Sequence, residues 1–448
     1  MADVVVIGAG IAGLVAVYHI LKEKPDAKVT LLEAAEHAGG QIRSLQLQGA
    51  SGADTWDIGA SFIQRSQKCL MSLLSEFKLE TLPPSKGKRI LQLGDGTIKS
   101  YSGSIPPLPW SSLLDLHRYM SKLEGSSKKI NMTNPCEGAK AVEQDNTSVE
   151  ELKVKTLWTQ SAKDMADTLA GSVLSVNPKN ISVLYYEYML HANKGWEGLL
   201  GSSKDGLHRI KGGAGKLVSA LVEAIGETNI VFNSKVMSIK HTHEGGEGLV
   251  TVEVMTGETY TAKKVIVTQG RDMIEFLPSA PVFPPLLPIT YGISFVMTFS
   301  KSFWQDNGYC GEVLSMSGTI QYLTGDGDWF ATAIFDATTV DNPALSGILN
   351  PLSLRDKTVE ERKSEILKLL AKYFKMENVE VLDYADHTWG EPWKYGDKLL
   401  TASSLADRRK PFHSIHWADR HTAMEWYNTI EGAVQVGLRA AKEVLNCI

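Results

Sequence analysis

At 448 residues, with 43% hydrophobic and 22% charged residues, the chain has the composition of an ordinary globular protein and enough length for two lobes. A net charge of -5 offers no basic footprint for nucleic acid, no basic block marks a membrane surface, and no apolar stretch reaches the roughly 18 residues of a spanning helix. Cys69, Cys136, Cys310 and Cys447 are far apart, without C-x-x-C or metal-ligand spacing, so the expectation is small-molecule chemistry in a reducing, cytoplasmic setting, with no metal and no transmembrane anchor.

The chain enters the run VVVIG within three residues of its start, which predicts a strand and not a cleaved leader. DVVVIGAGIAGLVAVYHILKEKPDAKVTLLEA then reads as strand, tight turn, helix, strand. After the turn, Leu14, Val17, Ile20 and Leu21 recur at helical spacing. Gly8 permits the turn, Gly10 lets the backbone approach a pyrophosphate, and Gly13, next to Ala12, lets helix and strand pack closely with the helix N-terminus facing the anion. The second strand ends in Glu33, 20 positions after Gly13, where a carboxylate accepts hydrogen bonds from ribose hydroxyls. An NADP phosphate would want a nearby arginine, and Ala34 and Ala35 offer none.

Beyond Glu33, Gly39 and Gly40 make a second point of close backbone approach, followed by Gln41 and Arg43, and Gly59, Ala60 and Ser61 form a third small-residue turn. The combined run, E-x(5)-GG-x-x-R followed by D-x-G-x-S, resembles the flavin amine oxidase superfamily, which makes FAD the dinucleotide that the resemblance implies. Further stretches are similar to the flavin-containing monoamine oxidases over nearly the whole chain. LWTQSAKDMADTLAGSVLSVNPKNISVLYYEYMLHANKG resembles the helical part of that family's substrate domain, and RIKGGAGKLVSAL its glycine turn back into the flavin domain. FWQDNGYCGE resembles its F-W-x(4)-Y-C-G segment, and EWYNTIEGAVQVGLRAAKEVL its closing helix. By the same resemblance, Val236 meets the adenine with its backbone.

Read from the residues, NIVFNSKVMSIKH and LVTVEVMTGETYTAKKVIVT alternate as strands of a β-meander, while AKDMADTLAGSVL and KSEILKLLAKYF show helical spacing. The segment from 125 to 151 is polar and turn-rich and reads as an exposed loop. LPPSKGKRILQLGDGTIKSYSGSIPPLPW is expected to help build a substrate entrance. The expected fold class is α/β, the two-domain FAD-linked amine oxidase fold. A discontinuous Rossmann-like FAD-binding domain covers 1–79, 206–280 and 390–448, and a mixed α+β substrate-binding domain covers 80–205 and 281–389.

The resemblance implies oxidation of a C–N bond in an amine. Hydride passes to flavin N5, water hydrolyses the imine, and O2 reoxidises the flavin to give H2O2. In that family two tyrosines flank the amine, a cysteine holds the flavin covalently, and a lysine contacts N5 through water. Aligned on Trp389, the cysteine position holds Lys398 and the first tyrosine position Leu399, so a noncovalent FAD is expected. Counted back from EGA, the second tyrosine position holds Thr429. The lysine position falls between Ser294 and Val296, and no lysine fits. Trp389, with Trp393, Tyr395 and Trp426, could wall an aromatic pocket or simply fill core. His208, beside Arg209, is either a base or carboxylate partner near the flavin, or structural.

The family's A-G-T-E run reads Ala418, Asp419, Arg420, His421. It sits at the entrance to the closing helix, whose N-terminus points at the flavin pyrimidine in the family and whose backbone contact would be Ile430. Asp419, Arg420 and His421 form either a polar network beside the ribityl chain or a solvated helix cap. The expected partners are an amine-like small molecule and O2, with a homodimer left open. With Leu399 and Thr429 in place of two rings, a bulkier amine is the expected substrate. The alternatives are a flavoprotein that has lost oxidase activity and a flavin-dependent desaturase or isomerase.

Overall fold

The computed structural model describes residues 1–174, 177–201, 205–242, 248–269, 292–315, 332–349, 354–374, 379–390 and 399–448. The apolar run at the N-terminus forms the strand Ala2–Ile7, with Val4, Val5 and Val6 fully buried. It lies between Val29–Leu32 and Thr259–Val267, parallel to both. Unbroken apolar strands belong in a parallel sheet covered on both faces, and the helix Ile11–Glu23 covers one face here. That helix packs on Gly215–Ile225 and on the closing helix Ile430–Leu445. At Gly437 a Cβ would stand 2.4 Å from the Ala12 carbonyl oxygen, so the two helices meet at backbone distance.

The strand run from 230 to 267 divides differently from a simple meander. Ile230–Val231 pairs in parallel with Val29–Leu32, the chain turns through Asn233 at φ +55°, and only Val236–Thr242, Leu249–Val254 and Thr259–Val267 form the antiparallel meander. The last of these returns beside the first strand of the chain and also pairs in parallel with Ile415–Trp417. The resulting seven-stranded sheet draws on three distant parts of the sequence.

A second seven-stranded sheet runs Val381–Trp389, Gly292–Phe299, Ala344–Leu349, Thr332–Asp336, Tyr309–Ser315, Lys88–Gln92, Ile98–Tyr101. Its pairs are antiparallel except that between Tyr309–Ser315 and Lys88–Gln92. The helix Val359–Phe374 buries Ile366, Leu370 and Phe374 in one core with Phe295, Phe299, Phe303 and Trp304. A small sheet of Phe62–Ile63, His208–Ile210 and Thr81–Leu82 lies where the first-sheet and second-sheet segments of the chain alternate.

The helical region is built from Trp110–Ser127, Val149–Thr156, Gln160–Leu174 and Val183–Ala192. The segment from 125 to 151, expected as an exposed loop, instead holds the end of one helix, a 3-10 turn at Pro135–Glu137, and the helix Ala141–Asp145. It ends in a capping box: Ser148 N–H donates to Glu151 Oε2 at 2.8 Å and Glu151 N–H to Ser148 Oγ at 3.1 Å. The S-x-x-E spacing was the overlooked signal. Among the described residues no helix is long and apolar enough to cross a membrane.

Candidate functional site

The first turn of the parallel sheet is a cradle of glycines with distinct reasons. Gly8 adopts φ +98°, and a Cβ there would lie 2.3 Å from Thr268 Oγ1. A Cβ on Gly13 would lie 2.0 Å from the Gly8 carbonyl oxygen, so helix and turn can pack only without a side chain. Gly10 differs: its φ is -72°, open to any residue, and a Cβ would meet nothing within 4 Å. Neither strain nor internal packing asks for glycine at 10, and what remains is close approach by a group from outside the chain. Gly10 is also the N-cap of Ile11–Glu23, with no side-chain cap and no acid in the first turn. The helix thus presents bare amides, the ordinary arrangement for a bound phosphate.

Gly39 and Gly40 close the cradle from the side, at φ +121° and +59°. Gly39 N–H donates to Ala9 O at 2.9 Å, and a Cβ on Gly40 would stand 3.2 Å from Gly10 Cα. Glu33 ends its strand beside this turn. Its Oε2 accepts from Ala9 N–H at 2.6 Å and its Oε1 from Ala35 N–H at 2.9 Å. The Ser234 amide donates to Glu33 O at 2.7 Å and the Asn233 amide to Ala35 O at 3.0 Å. The turn into the strand beginning at Val236 is thereby laid alongside Glu33, Ala34 and Ala35.

The third small-residue turn is pressed against the 41–43 backbone. A Cβ on Gly59 would lie 2.2 Å from Gln41 O and 2.8 Å from the Arg43 amide nitrogen, and the Ala60 amide donates to Gln41 O at 2.9 Å. From this turn a relay crosses to the second sheet. Ser294 Oγ donates to Ile58 O at 2.7 Å and accepts from Trp389 Nε1 at 2.5 Å. Ser294 is 8% exposed, and its hydroxyl is engaged at both ends. The His387 ring meets Trp389 edge-on at 4.4 Å, with Arg43 Nη1 3.5 Å from His387 Nδ1. Burial, then the Arg43 charge, holds the His387 pKa below its ordinary value, so the ring is neutral near pH 7.

At the closing helix, Thr429 is the N-cap. Its Oγ1 donates to Trp426 O at 2.6 Å and accepts from Gly432 N–H at 3.2 Å. The turn before it carries two left-handed non-glycine residues, Trp426 at φ +52° and Asn428 at φ +60°, an uncommon backbone that sets the helix entry. Trp426 is 3% exposed and buried in core. Ile430 opens the helix, and Glu431 accepts from the amides of Cys69 at 3.1 Å and Leu70 at 2.6 Å, capping the helix Lys68–Glu76.

Arg420–Thr422 form a 3-10 turn, with Asp419 and His421 buried and so not the solvated cap that the sequence left open. Asp419 caps it by accepting from His421 N–H at 2.8 Å, and Arg420 reaches Asn428 Oδ1 at 3.3 Å. Among the described residues no group of histidine, cysteine or carboxylate side chains is arranged to hold a metal.

His208 is buried on the small sheet beside Ile63, and its Nδ1 has no hydrogen-bond partner among the described residues. Burial, then the Arg65 charge, keeps its pKa below the ordinary histidine value. Arg209 donates to Thr338 O at 2.7 Å; burial lowers its pKa against the opposing pull of Asp336 and Asp57. It shares with Asp57 and Ser61 the wall of a cavity of about 20 Å³, room for a single water. Leu399 is half-buried next to Leu400, whose amide donates to Asn180 O at 2.7 Å. Trp393, Tyr395 and Lys398 lie outside the described residues.

Sequence reasoning identified the glycines and Glu33 but not the Ser294 relay, His387, Thr268 or the capping role of Glu431. Only the E-G-A match pointed at the last of these.

Comparison with known proteins accords with this geometry. The profile of the flavin containing amine oxidoreductases matches residues 11–445. The flavin-containing amine oxidase of Oncorhynchus mykiss is 27% identical over 468 residues, covering 99% of this chain and 85% of that protein. The human flavin-containing amine oxidase B is 26% identical over 470 residues, covering 100% and 86%. Among solved structures, cyclohexylamine oxidase from Brevibacterium oxydans superposes with a TM-score of 0.83 at 21% identity, over 99% of both chains. A glycine cradle open at Gly10, the Glu33 carboxylate beside it and a family match along almost the whole length lead to one conclusion: the chain belongs to the flavin-containing amine oxidoreductases.

Proposed function

We propose that this protein is an FAD-dependent oxidase that holds its cofactor noncovalently and oxidises a C–N bond of an amine larger than a simple monoamine. The observation that supports the cofactor reading is Gly10, a glycine whose Cβ position faces open space at the N-terminus of the first helix. Gly8, Gly10, Ala12 and Gly13, closed by Gly39 and Gly40, would hold the pyrophosphate, Glu33 the ribose and the Val236 backbone the adenine. Glu33 exchanges its present bond to Ala9 N–H for ribose hydroxyls, which frees that amide for a phosphate oxygen. Gln41, Arg43 and the Gly59–Ala60–Ser61 turn would border the flavin, together with Trp389, Arg420, Thr429 and Ile430. The noncovalent attachment rests on Lys398 and Leu399 standing where the family's cysteine and tyrosine align.

When bound, FAD supplies the two-electron acceptor for the substrate's C–H bond, with O2 as the terminal oxidant and H2O2 as product. The chain's own residues do the rest. Ser294 fixes the Trp389 indole as one wall, the Arg43 charge beside His387 favours an amine that enters the site neutral, and the closing helix would direct its positive end at the flavin. The division into an FAD-binding domain of 1–79, 206–280 and 390–448 and a substrate-binding domain of 80–205 and 281–389 is part of the same proposal. The membership of the two large sheets supports it, although residues 280, 281 and 391–398 lie outside the described residues.

The test is acid precipitation of the purified yellow protein, followed by anaerobic titration with small and bulky amines. Release of free FAD, bleaching by a bulky amine and peroxide on readmission of air are expected. Flavin that stays with the precipitate overturns noncovalent binding, and FAD that no amine bleaches overturns the oxidase in favour of a flavoprotein without that activity.

A further inference from the structure

Across the closing helix from the glycine cradle lies a second cavity. Gly437 meets Ala12 of the first helix at backbone distance. Gln435 and Arg439, two positions to either side and so about 200° around the helix, line an open cavity of about 450 Å³ with Met132, His191, Lys194 and Met424. That volume suits a small molecule. The walls are fixed from behind. Arg409 Nη1 donates to Met132 O at 2.8 Å and to Thr133 O at 3.1 Å. The Trp426 amide donates to Ala192 O at 2.7 Å, which ties the turn carrying Met424 to the end of Val183–Ala192.

The polar groups of this cavity are only partly spent. Arg439 Nη2 donates to Trp417 O and to Thr422 Oγ1, the latter at 2.9 Å. Its Nε is buried with no hydrogen-bond partner among the described residues. Glu443 Oε1 stands 3.7 Å from that Nε, beyond hydrogen-bond reach, and Glu443 Oε2 lies 2.9 Å from His416 Nδ1 instead. His191 Nδ1 lies 2.7 Å from Ser127 O. A carbonyl only accepts, so the proton is on Nδ1 and Nε2 is the ring's remaining polar atom.

Charge and surface indicate what the cavity takes. Of its lining residues Lys194 and Arg439 are cations and Glu425 is the one acid, and Glu425 is paired with Lys194 at 2.6 Å on the exposed side. The lining is left with one positive charge, that of Arg439, set beside Met132, Met424 and the buried Val436. A guanidinium with donors to spare next to apolar surface suits an anion of single charge with an apolar body, and methionines adapt to its shape. A phosphate dianion brings one charge too many, and an ammonium would face Arg439.

We propose that this cavity binds a small monocarboxylate carrying an alkyl or aryl group, with its carboxylate on Arg439 and its carbon body against Met132, Met424 and Val436. The site is separate from the glycine cradle and independent of the flavin reading. The turn through Met424 runs directly into the Trp426–Asn428 turn and the Thr429 cap, so a bound acid braces the entry of the closing helix.

Calorimetric titration of the full-length protein with 4-phenylbutyrate and with its uncharged analogue 4-phenylbutanamide tests it. One carboxylate should bind per chain, at least about tenfold tighter than the amide, and should raise the unfolding midpoint. Arg439→Gln should remove that preference for the acid. Because it also removes the bonds to Trp417 O and Thr422, Met424→Trp provides a second arm: it keeps them, fills the cavity, and should weaken both ligands at least about tenfold. Unfolding midpoints without ligand show whether each variant is folded, and Met424→Trp decides where Arg439→Gln is not. No binding up to about 10 mM, an amide that binds as tightly as the acid, or a Met424→Trp variant that binds like the wild type overturns the proposal.

Discussion

The two seven-stranded sheets build their halves of the site in opposite ways. The parallel sheet works with backbone: at Gly8, Gly10, Gly13, Gly39 and Gly40 it is the absence of a side chain that matters. The antiparallel sheet works with side chains brought from far apart, as Trp389 reaches Ser294 and Ser294 reaches Ile58. A backbone site survives drift in the residues around it, because amides are present whatever the sequence. A side-chain site changes with every substitution. The difference fits the proposal of a cradle that keeps its glycine pattern beside a pocket with Leu399 and Thr429 in place of the family's tyrosines.

The largest expected effect separates two glycines of the cradle. Gly13→Ala forces a Cβ to within 2.0 Å of Gly8 O, backbone against backbone. It should cost about 3 kcal/mol of stability and remove flavin as well. Gly10→Ala meets open space and should cost at most about 1 kcal/mol as a poorer N-cap, yet lose flavin to the same degree. Thermal unfolding with and without added FAD measures both. Equal loss of apoprotein stability in the two variants would break the contrast, because Gly10 would then have a structural reason of its own.

Acidity should also separate the regions. In the helical region Glu187 is 3% exposed, and burial, against hydrogen bonds from Ser126 and Gln144, pushes its pKa from 4.5 up to about 7. On the parallel sheet Asp3 is held below its ordinary pKa, chiefly by the Lys28 amide. For Glu187 the folded state keeps the proton longer than the unfolded chain. Its contribution is therefore most favourable below about pH 4.5, falls as pH rises to about 7, and is constant above that. Glu187→Gln, which keeps an oxygen for Gln144, should raise stability at pH 8 by roughly 2 kcal/mol and leave it unchanged at pH 4. Unfolding midpoints at the two pH values check this, and an equal gain at both would mean that the carboxylate is already charged in the fold.

The Ser294 relay offers a smaller and more local test. Ser294→Ala leaves the Trp389 indole N–H without its acceptor in a largely dry setting, at a cost of about 1–2 kcal/mol. The freed ring should alter near-ultraviolet circular dichroism and raise KM more than it lowers kcat, and Ser294→Thr should restore part of both. A dichroism spectrum identical to the wild type would show that packing against His387, and not the hydrogen bond, holds the ring.

What the sequence disclosed follows the same division. Gly8, Gly13 and Glu33 were legible because a nucleotide turn needs those residues at those spacings within a single local unit. Ser294 was not, since a serine in an apolar strand announces nothing until the strand ending in Trp389 pairs alongside it, at a separation of 95 residues. The short helices at 135–137 and 141–145 were missed because their polar, glycine-bearing sequence reads as loop, and the Ser148–Glu151 cap that follows them and opens Val149–Thr156 is a signal of only four residues. The turn at Asp419 to His421 kept two readings open, a polar network and a solvated helix cap, and the structure corrects the second: Asp419 and His421 are buried, and the aspartate both accepts from the His421 amide and faces the His421 ring at 3.1 Å, a pairing that no local spacing announces.

Thr429, the N-cap of the closing helix, gives the finest test. The proposal sets it at the place of a family tyrosine that would face the amine, yet its hydroxyl is engaged with Trp426 O and Gly432 N–H at the start of the closing helix. A hydroxyl donating its only proton backward and accepting an amide has little left to offer a substrate, so its work is to hold the helix entry beyond the strained Trp426–Asn428 turn. Thr429→Ala should therefore lower stability by about 1 kcal/mol, the usual worth of an N-cap, and Thr429→Ser should keep it. KM should be nearly the same in all three proteins. If Thr429→Ala instead raises KM several-fold with an unchanged unfolding midpoint, the side chain turns toward the substrate when one is bound, and this position belongs to the side-chain half of the site.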